Sequence, residues 1–297
     1  LDIYVPSGTY FIHTPIRIPQ KGRISLYGDI GNKPRFIGDN TVVISRTPSP
    51  DGANTVNYVY LHNLVFDGQN KRTTFMHKQG NSAGRGFSTT FSLGAVIGED
   101  TAMIIDGCEF LNINSLPFVV DNFRNVRITN NYFYKTMDAG LRTCENILYS
   151  NNIVEFSADN GISISRGCQI ANITNNIFRN CEVNAIYVTG YELERTRYQT
   201  LTITGYSYNF MSEVALSLSS AYNGMIRGQF ITVYDSDNNY GIIKITDITP
   251  DNKDATGIVV KDIPNSIQNT TAKKWFIAPL NAPRYINVAN NLSINCY

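Results

Sequence analysis

Val126-RITNNYFYKTMDAGLRT, Ile147-LYSNNIVEFSADNGISI and Ala171-NITNNIFRNCEVNAIYV lie under one another without a gap. Met103-IIDGCEFLNINSLPFVV before them and Leu201-TITGYSYNFMSEVALSL after them extend the set to five. The anchors are Phe110, Phe133, Val154, Phe178 and Tyr208, spaced by 23, 21, 24 and 30 residues, and eight residues after each stands Phe118, Leu141, Ile162, Ile186 or Leu216. Each unit holds two short alternating runs around a bend of small and polar residues, the period-2 pattern of half-buried strands. The pairs Asn130/Asn131, Asn151/Asn152 and Asn175/Asn176 fall in register before the anchor. Asparagine tolerates the left-handed backbone region, so it suits a sharp corner, and stacked copies can link their amides.

A unit this short cannot bury its own apolar face, but stacked units share one core. Leucine-rich repeats would need an L-x-x-L-x-L frame, and helical repeats a 3.6 period, and neither is present. The pattern predicts an all-β chain built as a right-handed, single-stranded parallel β-helix. After about residue 221 the frame degrades, which predicts a β-helix over residues 1–225 and a small β-rich cap or assembly element over 226–297. Within the latter, Phe230-ITVYDSDNNYGIIKITDI reads as a hairpin around a Gly/Asn/Asp turn. Asp235, Asp237 and Asn239 imitate the start of a calcium loop, but the glycine is displaced and Thr246 stands where a glutamate is needed, so a turn is expected and no metal site.

Composition narrows the functional classes. The 297 residues are 42% hydrophobic and carry a formal charge of +1, enough apolar surface for a core and too little clustered charge for a phosphate-backbone binder. Nucleic acid is therefore not an expected partner. No run approaches the roughly 18–20 apolar residues of a membrane helix. The chain opens at Leu1 inside an expected strand, as a mature or excised fragment would. The five cysteines lack C-x-x-C spacing, so buried thiols are expected in preference to disulfides or zinc. With three scattered histidines and no G-x-S-x-G or phosphate-loop frame, serine hydrolysis, nucleotide chemistry and a cofactor have no support. The segment after Asp67, with Lys71, Arg72, His77, Lys78 and Arg85, reads as a long basic surface loop.

The opening Ile3-YVPSGTYFI, with Val5, Pro6, Gly8 and Tyr10, then Ile24-SLYGD and Pro34-RFIG, together with the Asn pairs, resembles pectate-lyase-like (pectin-lyase-like) β-helix proteins. It is most similar to their bacteriophage tailspike and depolymerase branch. The resemblance spans residues 3 to 220 and implies action on a bacterial surface polysaccharide, capsule or lipopolysaccharide. It also implies a homotrimer and an extracellular, virion-tail location. It carries over no catalytic residues.

Candidate residues come from the repeat columns, since one offset in successive coils recurs at roughly 4.8 Å. Five residues after the anchors stand Ser115, Asp138, Asp159, Val183 and Glu213. Asp138 and Asp159 are the expected acid and base or nucleophile, because stacked carboxylates push one pKa upward and let a proton donor coexist with an anion. Glu155, Glu182 and Glu213 are the substitutes. Arg142, followed in its column by Ser163, Tyr187 and Ser217, could grip a sugar carboxylate or acetyl oxygen, with Tyr187, Ser163, Tyr134 and Arg179 as further substrate-binding candidates. Structural pairing is the plain alternative for Arg142, and a solvated turn for the two aspartates. Tyr132, Tyr134, Tyr187, Tyr191, Tyr206 and Tyr208 cluster on the repeats, where rings could stack on sugar C–H faces. Glycoside hydrolysis is the expected chemistry. A lyase acting on a uronic-acid polymer and a non-catalytic glycan-binding adhesin or spike are the rivals.

Overall fold

The computed structural model describes residues 1–18, 22–38, 44–46, 58–69, 91–94, 100–113, 115–165, 168–189, 201–208, 213–218, 227, 230–234, 240–251, 253–261, 275–279 and 285–296. The basic loop around Lys71–Arg85, the calcium-like residues 235–239 and Tyr191 lie outside them, as do the side chains of Tyr206 and Tyr208. Among the described residues every regular element is a strand, and no helix is long and apolar enough to cross a membrane. Contacts divide the chain into two compact units, Leu1–Gly190 with Ala282–Tyr297, and Tyr191–Asn281.

The first unit is a parallel β-helix. Its sheet A stacks Asp2–Tyr4, Arg23–Tyr27, Tyr58–His62, Ala102–Asp106, Asn125–Thr129, Asn146–Ser150, Ile170–Thr174 and Tyr285–Ala289. Sheet B stacks Thr9–Ile12, Arg35–Gly38, Val65–Asp67, Glu109–Leu111, Tyr132–Tyr134, Ile153–Glu155, Ile177–Arg179 and Leu292–Ile294. Sheet C stacks Ile16–Ile18, Ile44–Arg46, Phe91–Gly94, Phe118–Asp121, Ala139–Arg142, Ile162–Ser165 and Ile186–Thr189. All pairings within these sheets are parallel and in register.

The sequence pattern accounts for the corners and the core. Asn63, Asn130, Asn151, Asn175 and Asn290 turn the chain from sheet A to sheet B with φ between 52° and 58°, and Gly107 does so at 62°. Asparagine and glycine are the residues that visit this region at low cost. The second asparagine of each pair points inward as an amide ladder. Asn131 Nδ2 donates to Asn152 Oδ1 (3.0 Å), Asn152 Nδ2 to Asn176 Oδ1 (3.0 Å) and Asn176 Nδ2 to Asn291 Oδ1 (2.9 Å). Inside sheet B, Tyr10, Phe36, Phe66, Phe110 and Phe133 stack with centroids 5.0–5.7 Å apart. Where Val154 interrupts the rings, buried Tyr149 reaches in from sheet A and bridges Phe133 (6.5 Å) and Phe178 (6.4 Å). The cysteines are free thiols at coil corners, and burial pushes Cys108 up to about 12.

The second unit is a closed antiparallel barrel in the order Leu201–Tyr208, Glu213–Leu218, Asp254–Lys261, Tyr240–Ile248, Phe230–Tyr234, Trp275–Pro279. Phe230–Tyr234 and Tyr240–Ile248 form the hairpin expected from the alternation. Here the sequence expectation needs correction. Leu201–Tyr208 is no fifth coil, since it runs antiparallel to Glu213–Leu218. The division at residue 225 therefore differs from the observed units, and residues 285–296 are not part of a cap. Tyr285–Ala289 and Leu292–Ile294 close another coil on sheets A and B, so the barrel is interposed in the chain between two successive coils. Loop length hides this relation in sequence, because the Asn176 and Asn291 amides meet across a separation of 115 residues.

Candidate functional site

The coils between successive ladder positions have different lengths. Cys108 to Asn131 spans 23 residues, Asn131 to Asn152 spans 21, and Asn152 to Asn176 spans 24. The shortening falls between sheets B and C. Phe133 pairs with Val154, yet Leu141 pairs with Ile164, so eight residues in one coil face ten in the next. The gapless alignment therefore fails by two residues at Leu141. Asp138, the residue before Ala139–Arg142, continues the register opposite Gly161 and not Asp159. It sits in the short turn, between the longer turns that carry Leu116 and Asp159–Asn160. We call this two-residue shortening between longer neighbours the notch, and Asp138 within it is only 7% exposed.

The longer turn nevertheless carries Asp159 to it. Asn160 Nδ2 donates to Asp159 Oδ1 (3.0 Å), and its amide also acts on the Asp138 carboxyl. Ser163 Oγ donates to Asp138 Oδ2, and Asn184 Nδ2 donates to Asn160 Oδ1 (2.8 Å). Asp138 and Asp159 are thus brought to one amide, although they are not column mates. Burial pushes the Asp138 carboxyl above its ordinary range, against the opposing pull of Ser163, Asn160 and the Arg142 charge. Two glycines make room. A Cβ on Gly161 would stand 2.4 Å from Phe178 and 2.5 Å from the Ala185 carbonyl, while one on Gly140 would press Leu116 at 3.3 Å.

Ala139 and Leu141 point into the core, which leaves Gly140 and Arg142 on the outer face of sheet C. Arg142 stands in register with Asp121 and Ser165, not with Ser163 and Tyr187 as the columns suggested. Ser163 instead lies between Gly140 and Tyr187, whose ring is 39% exposed.

The other candidates lie apart from this cluster or have other partners. Glu155, on sheet B, accepts from Tyr132 Oη (2.7 Å) and pairs with Arg179 Nη1 (2.7 Å), and these two groups hold its carboxyl below the usual range. Burial and the same carboxylate push the Tyr132 phenol up. Tyr134 meets Phe156 edge-on at 5.7 Å and lies under the Lys135 ammonium at 5.3 Å. Glu182 is exposed on the turn after Ile177–Arg179, where its N–H donates to the Ser157 carbonyl of the preceding coil (2.9 Å). Glu213 and Ser217 belong to the barrel unit, because their strand left the repeat frame. No cluster of three or more potential metal ligands occurs among the described residues.

Sequence reasoning missed Asn160, Asn184 and the notch itself. The signal was present in the unequal anchor spacings of 23, 21 and 24 residues. The coil at 285–296 was also legible, since Asn290/Asn291 followed by Ile294-Asn295-Cys296 repeats Asn175/Asn176 followed by Arg179-Asn180-Cys181.

Of the comparisons with known proteins, the family model agrees with this architecture. No curated protein matches the chain. Among solved structures, ORF18 of Geobacillus virus E2 is similar at 10% identity and a TM-score of 0.22, over 92% of this chain and 70% of that one. The family described as the right handed beta helix region matches residues 53–194, which hold the notch and the asparagine ladder from Asn131 to Asn176. The first unit is a right-handed parallel β-helix.

Proposed function

We propose that this chain binds a bacterial surface polysaccharide along the β-helix and cleaves it by glycoside hydrolysis at the Asp138 notch. The observation that carries the reading is the pairing of a buried carboxyl of raised pKa with a second carboxylate across a shared amide. Asp138 is suited to hold a proton and deliver it to the glycosidic oxygen as the bond to the anomeric carbon breaks. Asp159 then takes a proton from the attacking water or itself attacks the anomeric carbon. Arg142, Ser163 and Tyr187 flank the notch and supply a cation, a hydroxyl and a ring face for the sugar. Glu155 and Arg179 satisfy one another and serve sheet B structurally.

Elimination is less favoured, because a lyase site must neutralise a uronate, and here Arg142 stands in register with Asp121 and its charge already acts on Asp138. The resemblance to phage depolymerases supports a homotrimer on a virion tail as the setting. The test is incubation with purified capsular polysaccharides and lipopolysaccharides, following new reducing ends and absorbance near 235 nm. Reducing ends without absorbance, lost in Asp138→Asn and Asp159→Asn, support hydrolysis. Absorbance marks a lyase, and binding with neither signal marks an adhesin; both refute the reading.

A further inference from the structure

The outer face of sheet A carries a second surface of different composition. Its three outward columns can be followed coil by coil. One runs Tyr4, Tyr27, His62, Asp106, Thr129, Ser150 and Thr174, and the next runs Ser25, Tyr60, Ile104, Arg127, Leu148 and Asn172. The third runs Arg23, Tyr58, Ala102, Asn125, Asn146 and Ile170. Four of the five tyrosines of these columns, Tyr4, Tyr27, Tyr58 and Tyr60, fall in the first coils, the fifth being Tyr285, which follows Ile170 in the last coil, and the same offsets in the coils between carry aliphatic, small, polar or charged residues. Strand propensity alone would spread the rings along the stack, so the grouping of four of them on three neighbouring coils needs another cause.

The rings are also held in place. Tyr4 Oη donates to Asp29 (2.7 Å) and Tyr58 Oη to Asp100 (2.9 Å). Tyr4 and Tyr27 lie 5.7 Å apart, Tyr60 stacks on His62 at 6.4 Å, and Arg23 covers Tyr60 at 4.8 Å. Tyr4 and Tyr27 remain 47% and 40% exposed. An exposed ring fixed by its own hydroxyl loses little freedom when a ligand stacks on it.

We infer that Tyr4, Tyr27 and Tyr60 form a glycan-binding platform, separate from the notch, that takes neutral sugar rings. Pyranose C–H faces stack on the tyrosines while hydroxyls bond to the surrounding carboxylates and Ser25. Charge decides the class of sugar. Among the described residues the rim holds Asp2, Asp29, Asp100 and Asp106 against Arg23, which already pairs with Asp2 at 3.5 Å, and His62, which lies 3.9 Å from Asp106. This surplus of carboxylates repels uronates and phosphorylated sugars and suits a neutral hexose, deoxyhexose or N-acetylhexosamine. The inference deepens the polysaccharide reading, but it needs no catalysis, so the platform and the notch can fail separately.

The test is saturation-transfer NMR of the full chain with the methyl glycosides of glucose, galactose, mannose, rhamnose and N-acetylglucosamine, and with methyl glucuronoside as the charged comparison. At least one neutral glycoside is expected to receive saturation, and the Tyr4→Ala/Tyr27→Ala variant to bind it about ten-fold more weakly, as loss of two stacking rings requires. Tyr4→Phe, which keeps the ring, retains most of the signal. Silence from every neutral glycoside, preference for the glucuronoside, or undiminished transfer in the double alanine variant overturns the assignment. So does a concentration-dependent association of wild-type chains, seen by sedimentation velocity, that the double variant abolishes, since the face would then join copies of this chain.

Discussion

Replacing Asn152 by alanine tests the asparagine ladder at its centre. The side chain is fully buried and makes four hydrogen bonds. Its Oδ1 accepts from the Asn131 backbone N–H and Asn131 Nδ2, each at 3.0 Å, and its Nδ2 donates to the Ile128 carbonyl (2.9 Å) and Asn176 Oδ1 (3.0 Å). After truncation Asn131 Nδ2 still reaches the Ile105 carbonyl, and Asn176 Oδ1 still accepts the Asn152 N–H. The Asn131 N–H loses its partner in a dry interior. One orphaned donor at about 1–3 kcal/mol and three further bonds at about 0.5–1.5 kcal/mol each give a loss of roughly 2.5–7.5 kcal/mol. The control is Asn146→Ala on the exposed face, where one 3.4 Å contact to Asn125 is lost and about 0.5 kcal/mol or less is expected. Urea denaturation followed by far-ultraviolet circular dichroism reads both, with the midpoint moving and the slope constant. In the Asn152→Ala protein the Asn131 amide should also exchange its hydrogen faster. A midpoint no lower than that of Asn146→Ala would refute the reasoning, because the ladder would then be a geometric accompaniment of the stack and not one of its supports.

Three further predictions follow from individual environments. Asp138 has a folded-state pKa raised by burial, so its favourable contribution is complete below the ordinary carboxylate range and is lost as pH rises through the folded value; Asp138→Asn should raise the melting temperature more at pH 8 than at pH 4, and a pH-independent difference would contradict this. The buried Tyr149 hydroxyl has no hydrogen-bond partner among the described residues, so Tyr149→Phe should keep the ring between Phe133 and Phe178 and leave stability unchanged or raise it by about 1 kcal/mol, measured by urea midpoint; a loss comparable to a cavity mutation would show that the hydroxyl is satisfied. Thr143 holds a β-branched side chain at φ 53°, where Asn122 serves the equivalent corner one coil earlier; Thr143→Asn should stabilise by about 1 kcal/mol in thermal melts, and destabilisation would mean that the threonine side chain outweighs its backbone strain.

Much of the β-helix was written locally. Period-2 alternation decides which side chains of a strand face inward, and the Asn pairs set left-handed corners through the backbone preference of a single residue type. Stacking then follows, since identical offsets in coils of similar length come into register, and Phe110, Phe133, Val154 and Phe178 do so in sheet B. Asp138 and Asp159 were legible as a pair of acids on neighbouring coils, and the raised pKa of one of them was anticipated on different grounds. Repulsion between column mates was the expected cause, whereas desolvation in a notch is the leading one.

Two things were decided only in three dimensions. One is the notch. The residues between sheets B and C carry no alternation, so their number acts through the register of the strands they join, and a coil two residues shorter than its neighbour appears in sequence as ordinary turn variation. The other is the fate of residues 201–296, where the same alternating pattern serves an antiparallel barrel at Leu201–Tyr208 and a parallel coil at Tyr285–Ala289. Alternation specifies which face of a strand is buried, but the partner strand is chosen by which edge lies within reach, and that depends on the folded stack.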